Sequence, residues 1–142
     1  MRATLEVTTS PDESDRRAII DGLIAYNQSK VGKHDFAELC IRLRDEDGRV
    51  VGGLFGRYFA DWLFVELLFV PEELRRQDLG TALMGKAEAF AREKGCVGVW
   101  LDTFSFQAPG FYKKLGYSVF GEIKDYPPGA SRYFLQKRLD RK

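Results

Sequence analysis

The six residues Arg75-Arg76-Gln77-Asp78-Leu79-Gly80 stand between an apolar run and a stretch of helical periodicity. A helix beginning there exposes unpaired backbone N–H groups, and its dipole favours an anion at that end. Gly80 carries no Cβ where the backbone would approach a phosphate. Arg75 and Arg76 supply charge for phosphate oxygens, and Thr81 continues the first turn. The combination reads as a cradle for a pyrophosphate. Its rival is an ordinary capped helix with two solvated arginines.

Two further places carry reactive side chains. Glu66 lies in the apolar run Trp62–Val70 and alternates with Phe64, Leu68 and Val70, so a strand there puts its carboxylate on an apolar face. A buried carboxylate needs water or a partner, and a structural ion pair with an arginine is the alternative to a catalytic role. Tyr112 lies in Ala108-Pro109-Gly110-Phe111-Tyr112-Lys113-Lys114-Leu115-Gly116-Tyr117, a short helix with proline at its first turn and glycine at its end. Asp102, Phe104, Phe106 and Gln107 follow a strand, and Tyr58, Trp62 and Tyr126 stand near loop ends. These side chains either line an acceptor pocket with aromatic walls or belong to core and interface. His34, the single histidine, reads as a loop residue, and Gly52, Gly53 and Gly56 read as close packing or a bulge within a strand.

The elements that must position these groups are legible from periodicity. A first strand is expected over Thr4–Thr8, then a helix from about Pro11 to Asn27. Strands over 36–43 and 50–59 flank the turn Asp45-Glu46-Asp47-Gly48. The run Trp62–Val70, closed by Pro71, suits a central strand covered on both faces. Leu79, Leu83, Ala87, Phe90 and Ala91 place a helix over 79–94. Strands at 97–101, 117–123 and 132–139 complete an α/β layer around a mixed sheet.

The chain of 142 residues suits one domain, residues 1–142, with no repeat or linker. Lys+Arg 22 against Asp+Glu 21 leaves a net charge of +1, which points away from nucleic acid. No run approaches about 18 apolar residues, so no membrane segment is expected. Residues 1–10 contain no signal-peptide stretch, and Cys40 and Cys96 read as buried free thiols. A cytoplasmic protein is the expectation.

With its diphosphate turn and aromatic helix, the chain resembles the GNAT superfamily of N-acetyltransferases over nearly its full length. The family's Arg/Gln-x-x-Gly-x-Gly/Ala loop is matched by Arg75 and Gly80, with Asp78 standing at the first glycine, where its carboxylate can cap the helix by accepting backbone N–H groups near Thr81. The resemblance implies a GNAT-like three-layer α/β fold, a central mixed, mostly antiparallel sheet flanked by helices. It implies acetyl-CoA as co-substrate with no metal. The implied cofactor-binding residues are Phe69, Val70, Arg75, Arg76, Gln77, Asp78, Leu79, Gly80, Thr81 and Ser105. Phe69 and Val70 would pair their backbone with the pantetheine arm, and Ser105 stands where the family often has asparagine. It also implies Tyr112 as the acid for the departing thiolate and Glu66 as a general base. The expected reaction is direct acetyl transfer to a primary amine of a small molecule or peptide. A catalytically silent acyl-CoA-binding module is the alternative, and a nucleotide-binding α/β protein a more distant one. A homodimer is compatible with this reading.

Overall fold

The computed structural model describes residues 2–140, which divide into two compact units, one ending at His34 and one beginning at Asp35. The first unit holds helix α1, Glu13–Val31. The Asp15 carboxylate accepts the Asp12 N–H at 2.8 Å before the first turn. The helix outruns the expected end at Asn27, because the left-handed stop is Gly32 (φ 78°), whose N–H reaches the Gln28 carbonyl at 2.9 Å. Thr4–Thr8 forms no strand, contrary to expectation. Its alternation offers a single narrow apolar face of Leu5 and Val7 and no ladder partner.

The second unit is a six-stranded sheet in the order β1-β2-β3-β4-β6-β5. The strands are β1 Phe36–Arg44, β2 Val50–Phe59, β3 Trp62–Phe69, β4 Gly98–Phe104, β5 Ser118–Lys124 and β6 Ser131–Arg138. All ladders are antiparallel except β3–β4, which is parallel because helix α2 (Leu79–Glu93) carries the chain across. A short helix α3, Pro109–Lys114, links β4 to β5. In the β1–β2 turn, the Asp45 carboxylate accepts the N–H groups of Asp47 and Arg49 at 2.9 and 3.0 Å.

Helix α2 buries Leu83, Met84, Ala87 and Ala91 against Leu63, Val65, Val99, Leu101 and Leu135 of the sheet. Leu83, Ala87 and Ala91 are the buried part of the predicted stripe, which Met84 joins, whereas Leu79 and Phe90 stay half-buried. On the other face Phe64 stacks on Trp100, its register partner, with centroids 4.1 Å apart. Gly53 holds a positive φ of 133° in β2, and a Cβ there would drive into the Ile41 carbonyl oxygen of β1. Gly52 and Gly56 similarly face the carbonyls of Phe69 and Phe64. Close backbone approach explains all three glycines. Cys96 is buried as expected, but Cys40 is exposed, because it falls on the outward phase of β1.

Candidate active site

The parallel β3–β4 ladder ends at the pair Val65–Leu101, although both strands continue. Beyond that pair β3 turns its backbone to β2 alone, and a cleft of about 1240 Å³ opens beside it. Its walls are the ends of β3 and β4, the turn before α2, and α3. Glu66, Phe69, Val70, Arg75, Arg76, Asp78, Leu79, Gly80, Thr81 and Tyr112 all line it. Gln77 and Ser105 do not.

At one end lies the start of α2. Its first backbone bond closes from the Ala82 N–H to the Asp78 carbonyl at 3.0 Å, which leaves the N–H groups of Leu79, Gly80 and Thr81 ahead of the ladder. Arg75 is anchored at the rim, its Nε donating to the Val70 carbonyl at 3.1 Å. This bond ties the turn before α2 to the end of β3. At Gly80 the space that a Cβ would take is filled by the Phe111 ring, 3.2 Å away, so the glycine also lets α3 pack on the start of α2.

Asp78 does not cap the helix through its carboxylate as its position suggested. It occupies the N-cap site in the left-handed conformation (φ 55°, ψ 28°), and its side chain makes no capping bond. Asp tolerates this region better than most residues, but glycine is at ease there, which accounts for glycine in the family pattern. If the turn holds the pyrophosphate that the resemblance implies, Asp78→Gly is expected to tighten acetyl-CoA binding about three- to tenfold, by removing a carboxylate beside the anion and relaxing the backbone. Titration calorimetry measures this, and weaker binding by the variant would count against the cradle.

Glu66 also departs from expectation. Gly56 pairs with Val65 and Phe55 with Leu67, so Glu66 is the extra residue of a β-bulge. The bulge breaks the alternation that would have buried it with Phe64 and Leu68. Its side chain is 38% exposed, with Arg57 Nε 3.9 Å from the carboxylate. A carboxylate at the cleft edge with a loosely held cation stays hydrated and available to a ligand.

Tyr112 projects from α3 and is buried between Phe111 and Tyr117, both edge-on to its ring at 5.0 and 6.2 Å. Burial, then the nearby Asp102 charge, pushes its hydroxyl up to about 12, so it carries its proton at any working pH. Behind it, Glu88 of α2 is buried, accepting the Tyr117 hydroxyl at 2.9 Å and Lys137 Nζ at 2.9 Å. Lys137 also donates to the Leu115 carbonyl at 2.9 Å, which fixes the end of α3.

The far wall is built around an ion pair. Asp102 is held by Arg132 at 2.8 Å, and Arg132 also donates to the Tyr126 hydroxyl at 3.2 Å. Asp102, Phe104, Phe106 and Gln107 line the cleft with Arg132, whereas Tyr58, Trp62 and Tyr126 are not among its lining. Arg132 was not singled out by its sequence; only the β4–β6 register, which sets it opposite Phe104, brings it here. Ser105 exchanges bonds with Ser131, N–H to carbonyl at 2.8 Å and hydroxyl from the Ser131 N–H at 3.0 Å. It holds the wall rather than lining it.

Residues 5–117 match the model of the Acetyltransferase (GNAT) family. An acetyltransferase of Agrobacterium fabrum is 39% identical over 128 residues, 90% of this chain and 93% of that protein. The blasticidin-S acetyltransferase of Streptomyces morookaense is 46% identical over 95 residues, 66% of this chain and 70% of its own length. A crystal structure of an acetyltransferase from Agrobacterium tumefaciens superposes with a TM-score of 0.90 at 36% identity, covering 96% of this chain and 99% of that one.

Proposed function

The chain belongs to the GNAT acetyltransferase family, an acetyl-CoA-dependent transferase, and from that premise we propose that it moves the acetyl group directly to a primary amine of a small molecule. The observation that carries this reading is the cleft itself, which joins the start of α2 to Tyr112 along the unpaired edge of β3. The N–H groups at the start of α2 would receive the pyrophosphate, with Arg75 and Arg76 adding charge. The main chain at Val70, beyond the last pair with β4, would pair with the pantetheine amides, whereas the Phe69 carbonyl is turned towards Gly52 of β2.

Holding both reactants in one cleft supplies much of the rate advantage through orientation. Glu66 would take a proton from the attacking amine, directly or through water. The amine nitrogen bonds to the thioester carbon, the carbon–sulfur bond breaks, and Tyr112 gives its proton to the leaving thiolate. Glu66 then releases its proton to water and Tyr112 recovers one, so the charges balance. No enzyme-bound acyl group is needed. A small-molecule acceptor is favoured by the blasticidin-S acetyltransferase relative, whose name specifies such a substrate. Among the described residues no helix is long and apolar enough to cross a membrane.

A thiol-release assay with acetyl-CoA against chemically diverse amines tests the proposal. Tight acetyl-CoA binding with no thiol release for any amine would favour the silent binding module instead. Glu66→Gln is expected to lose about 100-fold in rate near neutral pH and far less above about pH 9, where more of the amine is already free. A variant that keeps the wild-type pH profile would leave Glu66 with only its ion pair to Arg57.

A further inference from the structure

Two phenyl rings stand at the mouth of the cleft in an arrangement that apolar burial alone does not explain. Phe104 and Phe106 lie almost parallel, with an interplanar angle of 7° and centroids 5.3 Å apart, and both line the cleft. Phe106 is 66% exposed, so one face of the pair is presented to solvent. An exposed phenylalanine at a loop is ordinarily mobile, yet this one is carried by a braced segment. The Phe104 N–H donates to the Gln107 side chain at 2.8 Å, the Thr103 hydroxyl to the same oxygen at 3.2 Å, and Ser105 is doubly bonded to Ser131. The Arg132 guanidinium lies over the Phe104 ring at 5.7 Å while gripping Asp102 on the same cleft face.

The result is a flat, preformed aromatic shelf two residues beyond a carboxylate, within a cleft that also holds Glu66. A preformed ring pair favours a ligand with a flat π-face, because offset stacking adds to simple area burial and no side chain must be ordered on binding. From this shelf we infer that the acceptor bears its primary amine on a planar unsaturated ring system that stacks on Phe106 and Phe104. The inference rests on the amine-transfer reading and deepens it by naming the body that carries the amine. A saturated sugar, a linear polyamine or an aliphatic amino acid has no flat π-face to stack on the shelf.

The test compares kcat/KM for 2-phenylethylamine and 2-cyclohexylethylamine, which place the same amine on a flat and a puckered ring of equal carbon count. Wild-type protein is expected to favour the phenyl compound about fivefold or more. Phe106→Leu keeps an apolar side chain without a π-face and should bring the ratio within about twofold of one. Because the ratio is compared between proteins, the differing basicities of the two amines cancel. Phe120→Leu, an exposed phenylalanine on β5 outside the cleft, should leave the wild-type ratio in place. Turnover of both amines with a ratio that Phe106→Leu does not change overturns the shelf while leaving amine transfer intact. No thiol release from these or any other amine overturns both.

Discussion

Tyr112→Phe is expected to lower kcat about 100-fold or more while changing acetyl-CoA affinity less than threefold. The substitution removes one oxygen and retains the ring, which is held edge-on by Phe111 and Tyr117. Packing, and with it the shape of that end of the cleft, should survive. What is lost is a proton donor. Burial and the Asp102 charge raise the hydroxyl to about 12, above its ordinary value near 10, so its protonated form persists well into alkaline solution. The wild-type rate should accordingly show no alkaline decline from Tyr112 below about pH 10. Deprotonation is also penalised more in the folded chain than in the unfolded one, so the hydroxyl's contribution to stability is full below pH 10 and fades as pH climbs towards 12. The comparison is made by steady-state kinetics beside calorimetric binding of acetyl-CoA. Equal losses in turnover and affinity would remove the acid role from Tyr112.

Lys137→Met is expected to destabilise the fold by about 3 kcal/mol, measured by urea unfolding. Lys137 reaches from β6 to the buried Glu88 carboxylate at 2.9 Å, and its removal strands that charge in the core. The loss falls at the lower end for such a site, because Arg92 stands 3.9 Å from the carboxylate and the Tyr117 hydroxyl still donates to it. Adding Glu88→Gln should recover more than half of the loss. The amide carries no charge and keeps an oxygen for Tyr117. A single variant within about 1 kcal/mol of wild type would mean that the carboxylate needs no cation there. Since Lys137 also holds the Leu115 carbonyl at the end of α3, the same variant should loosen the helix that carries Tyr112.

Neither pairing was visible along the chain. Glu88 and Lys137 lie 49 positions apart, and Glu88 and Tyr117 lie 29 apart. A lysine and a glutamate in amphipathic elements look like solvated surface until the register of β6 and the rotation of α2 are known. The same holds for Arg132, which meets Asp102 only across the β4–β6 ladder.

What the sequence by itself determined is local in origin. The limits of β2, the stripe of α2, the proline and glycine that bound α3, and the position of Arg75 and Gly80 at a strand-to-helix turn follow from periodicity and turn chemistry within a few residues. With the resemblance of that turn and of Phe111-Tyr112, this was enough to name the family. Only the tertiary structure decided how the residues meet. The bulge at Glu66 arises from pairing with β2 and moves a carboxylate expected among apolar neighbours to the cleft edge. The left-handed backbone at Asp78 arises from the sharp entry into α2, and it replaces the expected side-chain cap. The cleft exists because β3 and β4 stop pairing after Val65 and Leu101, a property of two strands together that neither encodes alone.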